Sequence, residues 1–108
     1  MTNELKFGLS AEIISQISHI FKKYPEIEKV VIYGSRAKGN FKNSSDIDLV
    51  IYAPSMKLKV LLTIENEIDD LLLPYKFDMS LYHQIDNIKL IEHINHVGLV
   101  FYSNLLTH

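Results

Sequence analysis

Asp46 and Asp48 are the residues of this sequence whose type and spacing most clearly allow chemistry. They stand at the start of the apolar run IDLVIY, residues 47–52, which has the composition of a buried strand. Side chains two positions apart on a strand project from the same face, so the two carboxylates lie together. Adjacent carboxylates repel each other, and a divalent cation between them relieves that repulsion. The spacing therefore predicts a site for a hard cation, Mg²⁺ or Mn²⁺.

A third carboxylate, Asp78, lies in the middle of the alternating segment 75–82. Aspartate is a poor strand former, so its place on the polar face of a strand suggests a function. If this strand pairs beside residues 47–52, Asp48 and Asp78 come within reach of one metal ion. The competing interpretation, which a bare D-x-D pattern alone favours, is that Asp46 caps a turn and Asp48 is merely solvated.

A glycine turn with basic residues, Gly34 to Gly39, directly follows the apolar run at 29–33. Gly34 lets the backbone turn and approach a ligand closely, and Ser35 stands where a short helix begins. The N–H groups at a helix start suit a phosphate, and the Ser35 hydroxyl adds a donor. Arg36 and Lys38 bring positive charge, so the turn predicts a phosphate site beside the metal site. The alternative is an ordinary strand–turn–helix connection with a capping serine.

Helices and strands alternate along the chain, and this order predicts an α/β layer structure around one sheet. Apolar residues at helical spacing predict helices over residues 10–24, from Leu58 to Pro74, and from Ile85 to Gly98. Short apolar or alternating runs predict strands over residues 29–33, 47–52, 75–82 and 99–102.

Composition narrows the class of protein to an ordinary globular one. The chain has 108 residues, 47% of them hydrophobic and 22% charged, which predicts one domain with a real core. A net charge of -2 argues against bulk binding to nucleic acid or to acidic membranes. The absence of cysteine excludes disulfides and thiolate metal sites, and it fits the cytoplasm. The N-terminal segment predicts neither a signal peptide nor a membrane span.

The combination of GSRAKG at 34–39 and SDIDL at 45–49 resembles the G-S…D-x-D signature of the polymerase β-like nucleotidyltransferase superfamily. The match is closest to its minimal nucleotidyltransferase (MNT) branch, whose members consist of little more than the catalytic domain. The resemblance covers nearly the whole chain and implies a single catalytic domain over 1–108. The implied fold is α/β (α+β), with a mixed sheet of about four strands and helices packed against it. Lys38 stands where the family usually has arginine.

The resemblance also implies an activity, which is metal-dependent transfer of a nucleoside monophosphate to a hydroxyl with release of pyrophosphate. AMP from ATP is the expected group. Two ions, Mg²⁺ or Mn²⁺, are implied at the carboxylates, and the phosphates are implied at the glycine turn. The implied catalytic and metal residues are Asp46, Asp48 and Asp78, and the implied nucleotide-binding residues are Gly34, Ser35 and Arg36.

The resemblance further implies a partner, a small helical HEPN-like protein encoded nearby that carries the acceptor tyrosine in a toxin–antitoxin pair. The last helix and the tail from Ser103 to His108 are candidates for the interface, and a homodimer is the competing arrangement. Two other functions stay open: a stoichiometric binding module, or an aminoglycoside-type transferase acting on a small molecule. Clustered carboxylates favour an enzyme. For His93 and His96 we expect a solvated helix face.

Overall fold

A four-stranded mixed sheet organises the chain in this computed structural model, which describes residues 5–104. A two-stranded hairpin precedes it. The strands are β1 (Leu5–Lys6), β2 (Leu9–Ser10), β3 (Lys29–Tyr33), β4 (Ile47–Tyr52), β5 (Phe77–Leu81) and β6 (Leu99–Ser103). The sheet order is β5-β4-β3-β6, in which β3 is antiparallel to β4 and β6, and β4 is parallel to β5. The predicted fold class, a mixed sheet of about four strands with helices against it, is confirmed.

Four helices connect these strands within the described residues. They are α1 (Ala11–Lys22), α2 (Ser35–Lys38), α3 (Leu58–Asp69) and α4 (Ile88–Val97), with a 3₁₀ turn at Tyr82–Gln84. Side-chain caps fix two of the helix starts. The Ser10 hydroxyl accepts a hydrogen bond from the Ile13 N–H at 3.2 Å, and the Asn87 side chain accepts one from the Leu90 N–H at 3.2 Å. Ser10 therefore caps α1.

The two faces of the sheet are covered by different helices. On one face, side chains such as Ile32 and Leu49 pack against α1 and α3 in the main hydrophobic core. On the other face, Ile94 of α4 packs against Val31 and Val50. Because both faces are covered, β3 and β4 are buried at nearly every position. This explains why both strands appear in the sequence as continuous apolar runs instead of alternating patterns.

Two predicted helix boundaries were wrong. The helix expected to reach Pro74 ends at Asp69, and Leu72, which was assigned to its apolar face, has φ +56° and is 87% exposed. The last helix begins at Ile88 instead of Ile85, which follows the 3₁₀ turn. In both places apolar residues continue the helical spacing into a turn, and spacing alone cannot detect that change.

The N-terminal hairpin is an element that the sequence interpretation missed. Its two-residue turn consists of Phe7 with φ +60° and Gly8 with φ +75°, the backbone pattern that joins tightly paired strands. The Phe7 ring stacks on Phe101 of β6 with 6.0 Å between ring centroids. The signal was a glycine turn between Leu5 and Leu9, but strands this short carry too little pattern to detect.

The tail residues Leu105 and Leu106 lie outside the described residues. Within residues 5–104, no helix combines the length and apolarity needed to cross a membrane.

A polar contact joins α1 to α3 on the side of the molecule that faces away from α4. The Tyr24 hydroxyl donates a hydrogen bond to the Glu67 carboxylate, which also accepts one from the Lys23 ammonium. The hydrogen bond to Glu67, followed by burial and the nearby negative charge, raises the pKa of Tyr24 from 10.0 to about 12. The neutral phenol is therefore the form that stabilises the folded chain.

We predict that Tyr24 makes the free energy of unfolding fall between pH 10 and about 12. Over that range the unfolded chain loses the phenol proton while the folded chain retains it, which favours unfolding. Urea unfolding of wild type and Tyr24→Phe at stepped pH measures the effect. The variant should lose less stability over this range, because its ring cannot ionise. Parallel losses in the two proteins would contradict the prediction.

Candidate active site

The parallel pairing of β4 and β5 brings two of the predicted carboxylates together. Asp48 lies directly beside Asp78 in the register of these strands, and Tyr33 of β3 lies beside Asp48 on the other side. Paired residues project from the same face of a sheet, here the face covered by α4. Asp46 precedes β4 by one residue and is exposed. The three predicted aspartates therefore lie at one end of the sheet.

The carboxylates at this end of the sheet repel one another, and the repulsion shifts the pKa values of neighbouring groups. Burial raises the pKa of the Asp48 carboxyl, and the nearby Asp78 and Asp46 raise it further, while His93 lowers it. Burial, followed by the charges of Asp78 and Asp48, also raises the pKa of the Tyr33 hydroxyl, although its hydrogen bond with Ser80 acts in the other direction. The net effect on both groups disfavours additional negative charge here. A bound cation would reverse the balance.

Gly34 lies against the Asp48 carboxylate. A Cβ atom at residue 34 would lie 2.4 Å from Asp48 Oδ2, far inside van der Waals contact. The backbone at Gly34 has φ +76°, a conformation that residues with a side chain rarely adopt. The chain then enters α2, whose first residue is Ser35, and leaves it at Gly39 with φ +90°. The predicted phosphate turn and the predicted metal ligands are therefore in direct contact.

Arg36 is buried in the fold, although its charge suggested an accessible phosphate ligand. The sequence predicts it as a phosphate ligand, yet the side chain is only 2% exposed. Its Nε donates to the Ser45 carbonyl at 3.1 Å, Nη1 to the Phe7 carbonyl at 2.9 Å and Nη2 to the Asn43 carbonyl at 3.2 Å. These contacts tie the N-terminal hairpin to the loop that precedes Asp46. They favour a structural role for Arg36, so the proposed phosphate site rests on Gly34 and Ser35.

Two aromatic rings enclose the Arg36 guanidinium. The Phe41 and Tyr75 rings each lie with their centroid 5.1 Å from the Arg36 Cζ atom. Cation–π contacts of this kind stabilise a buried guanidinium. Within residues 5–104, no buried side-chain nitrogen or oxygen lacks a hydrogen-bond partner, so the cation carries no unpaired donor into the core.

His93 lies at the site, which the sequence interpretation did not foresee. It is half-buried on α4, and its ring meets Tyr33 edge to face with 6.1 Å between centroids. The expectation of a solvated helix face was wrong for His93, whereas His96 is exposed as expected. The error arose because the sequence does not show that α4 covers the same face of the sheet as Asp48. The signal available was helical spacing, since His93 lies three residues after Leu90 and four before Val97, which pack against this face of the sheet.

The donor set at this site suits a hard divalent cation. Carboxylate oxygens are the ligands that Mg²⁺ and Mn²⁺ prefer. Within residues 5–104, no three histidine, aspartate or glutamate side chains stand close enough together to hold a metal ion as a group. Asp46 and Asp78 are exposed, so their rotamers can turn toward an ion without repacking the core. The residues thus fit a cation that completes its shell with other oxygens, such as those of a triphosphate.

Comparison with known proteins places this architecture in a family. A family model described as Polymerase beta, Nucleotidyltransferase matches residues 15–105. This chain is a nucleotidyltransferase of that family. The resemblance seen in the sequence is therefore confirmed, and so is the expectation that the protein is an enzyme of this class.

Relatives of this nucleotidyltransferase agree with the assignment. It is 36% identical over 78 residues to a Methanocaldococcus jannaschii protein named "Putative protein adenylyltransferase MJ1217", and the match covers 70% of this chain and 78% of that one. Two solved structures share its fold. One is a toxin–antitoxin complex with AMP-PNP, with a TM-score of 0.69, 15% identity and coverage of 83% of this chain and 73% of that chain. The other is a tri-AMPylated Shewanella oneidensis HEPN toxin with its MNT antitoxin, with a TM-score of 0.64, 12% identity and coverage of 87% and 72%.

We predict that Gly34→Ala removes Mn²⁺ binding and nucleotidyl transfer, because the new methyl group displaces the Asp48 carboxylate. Gly39→Ala is the matched control. Both glycines have positive φ, so both variants carry backbone strain, but a Cβ at residue 39 meets nothing within 4 Å beyond its chain neighbours. Isothermal titration with Mn²⁺ and ATP compares them. Equal losses of binding in the two variants would show that strain alone is responsible.

We predict that Arg36→Met destabilises the fold by about 3 kcal/mol, because it removes three hydrogen bonds of a buried guanidinium, and hydrogen bonds to charged groups contribute roughly 1.5–3 kcal/mol each. Lys38→Met serves as the control, since Lys38 is an exposed cation on the same short helix. Urea unfolding measures both. If Arg36→Met retained wild-type stability and lost only ATP affinity, the guanidinium would be a phosphate ligand after all.

Proposed function

We propose that this nucleotidyltransferase transfers AMP from ATP to a hydroxyl group on a partner protein, releasing pyrophosphate. The observation that carries the proposal is the placement of Asp48 directly beside Asp78 and against Gly34. That arrangement brings carboxylates, suited to cations, into contact with a turn suited to phosphate. A triphosphate with its divalent cation is the ligand that needs both.

Asp46, Asp48 and Asp78 are the proposed ligands of two Mg²⁺ or Mn²⁺ ions. When bound, such ions stabilise negative charge on the attacking and leaving oxygens of the phosphoryl group. The like-charge repulsion around Asp48 supports this assignment, because a bound cation would relieve it. Gly34 and Ser35 hold the β- and γ-phosphates, with the backbone N–H groups and the Ser35 hydroxyl as donors.

Asp78 acts mainly toward the acceptor. It is exposed on β5, an outer strand of the sheet, so an incoming hydroxyl can approach it. Its carboxylate orients that hydroxyl and takes its proton as the oxygen attacks the α-phosphorus. The new phosphorus–oxygen bond replaces the bond to the β-phosphate, and pyrophosphate leaves.

The names of related proteins support a protein acceptor. One relative is named as a protein adenylyltransferase, and a solved neighbour is an MNT antitoxin bound to an AMPylated HEPN toxin. We therefore propose a HEPN-like partner encoded nearby and a role as the antitoxin of the pair. A homodimer is the competing assembly, and a small-molecule acceptor is the competing substrate.

The decisive experiment mixes the protein with Mg²⁺, each of the four NTPs labelled at the α-phosphate, and the product of the neighbouring gene. Label from ATP on the partner protein is the expected outcome. Label from another NTP would change the nucleotide, and label on a small molecule alone would exclude the protein acceptor. A stable complex that never acquires label would favour the stoichiometric binding module.

We predict that Asp78→Asn leaves ATP affinity nearly unchanged and lowers transfer by roughly 10²–10⁴-fold, as expected for loss of a catalytic base. Asp70→Asn, which changes an exposed acid in the cleft between α1 and α3, is the control and should retain activity. Fluorescence titration with an ATP analogue and a label-transfer assay separate binding from chemistry. If Asp78→Asn loses ATP binding as completely as Asp46→Asn does, the acceptor role of Asp78 is wrong.

A further inference from the structure

The outer edge of β5 presents unpaired backbone groups beside the proposed catalytic carboxylate. Within residues 5–104, β5 pairs only with β4. The Ile47 N–H donates to the Lys76 carbonyl at 2.9 Å, which fixes the phase of the parallel ladder. Successive residues of a parallel strand direct their backbone groups to alternate sides. Asp78 and Ser80 therefore bond toward β4, and the N–H and C=O groups of Phe77 and Met79 point outward.

Two cavities flank this edge and meet at Met79. One, of about 410 Å³, lies between α3 and β5 and is lined by Leu62, Glu65 and Asp69 among others. The second, of about 360 Å³, lies toward the far end of β5 and includes Met79 and Asp86 in its lining. Leu62 is 51% exposed at the rim. The edge of β5 therefore lies in an open groove, which we call the β5 groove, instead of under a helix.

The charge of the β5 groove is negative. Glu65 and Asp69 lie on its α3 side, Asp86 lies near its far end, and no lysine or arginine of the described chain lines either cavity. Burial, followed by the charges of Asp69 and Asp78, raises the pKa of Glu65, which reflects the same crowding of acids. A second copy of this chain would place acid against acid here. An extended segment with positive charge is the complementary occupant.

We propose that the β5 groove binds an extended, basic segment of the acceptor protein as an additional strand, and that this delivers the acceptor hydroxyl to Asp78. The proposal rests on the proposed function, because it names how the acceptor of that reaction is held. Strand addition draws its affinity from main-chain hydrogen bonds and its specificity from alternate side chains. A residue placed beside Asp78 projects from the same face as the carboxylate. The residues on either side of it project toward Glu65 and Asp69, where lysine or arginine fits.

The other outer strand of the sheet does not offer this geometry. β6 exposes Leu99 and Val100, which are 48% and 47% exposed, but β3 and β4 separate it from Asp78. A segment paired with β6 would lie at the opposite edge of the sheet from β5 and from Asp78. The position of Asp78 on an outer strand therefore selects β5 for the acceptor.

The test uses a synthetic peptide, Lys-Val-Lys-Tyr-Lys-Val-Lys, which places tyrosine and lysine on opposite faces of an added strand. Hydrogen exchange of the Met79 and Phe77 amides is followed by NMR with and without the peptide at millimolar concentration. We expect exchange at both amides to slow by at least about tenfold when they become hydrogen-bonded. The peptide with glutamate in place of lysine should give no protection. A peptide N-methylated at the alternate residues whose N–H groups face β5 should give no protection. A peptide N-methylated at the other alternate residues should still protect both amides.

A matched pair of variants tests the charge of the groove. Asp69→Lys lies in the β5 groove, whereas Asp70→Lys makes the same charge change in the cleft between α1 and α3. Only Asp69→Lys should weaken protection by the basic peptide. Absence of protection in wild type, equal protection by the acidic peptide, or protection of Met79 in a dimer without peptide would each overturn the proposal. Titration with Mn²⁺ and ATP in the same samples reports separately on the proposed function, since it does not depend on the peptide.

Discussion

The repulsion between carboxylates at one end of the sheet is the constraint on which the rest of this structure depends. Asp48 is half-buried beside Asp78, and burial and neighbouring charge both disfavour its ionised form. The folded chain therefore holds a charge arrangement that costs stability until a cation binds. The continuous apolar core under β3 and β4 is what tolerates that cost, because it buries both strands on two faces.

The buried Arg36, which lies in α2 just after Gly34, helps to position this site through hydrogen bonds to the backbone. It fixes three carbonyls that belong to two separate segments, the N-terminal hairpin and the loop before Asp46. Those bonds define where β4 begins, and hence where Asp48 stands against Gly34. The cation that the sequence suggests for phosphate thus acts on the site indirectly, through the backbone. All three acceptors are backbone carbonyls, so the arrangement depends on the course of the backbone more than on the side chains of residues 7, 43 and 45.

Much of the fold, and the strand positions of the carboxylates in the candidate site, could be predicted from the sequence, and the limits have physical causes. β3 and β4 were predictable because burial on both faces leaves continuous apolar runs, and Asp78 was predictable because alternation placed it on a polar face. Burial of Arg36 was not predictable, since it depends on a hairpin whose strands are too short to carry a pattern. Nor was the position of His93, because the sequence does not show which face of the sheet α4 covers. Helix ends were misplaced at Leu72 and Ile85, where apolar spacing continues into turns.

The connection between β4 and β5 has a consequence for the order in which the chain folds. β3 and β4 are antiparallel neighbours joined by residues 34–46, which include α2, so the glycine turn and Asp48 come together through contacts that are fairly local in sequence. β5 is parallel to β4 and follows it in the chain only after α3, so pairing these two strands closes a longer loop at a larger cost in entropy. The half of the site formed by Gly34 and Asp48 can thus assemble early, free of the charge of Asp78. The repulsive contact between Asp48 and Asp78 arises only when β5 pairs with β4.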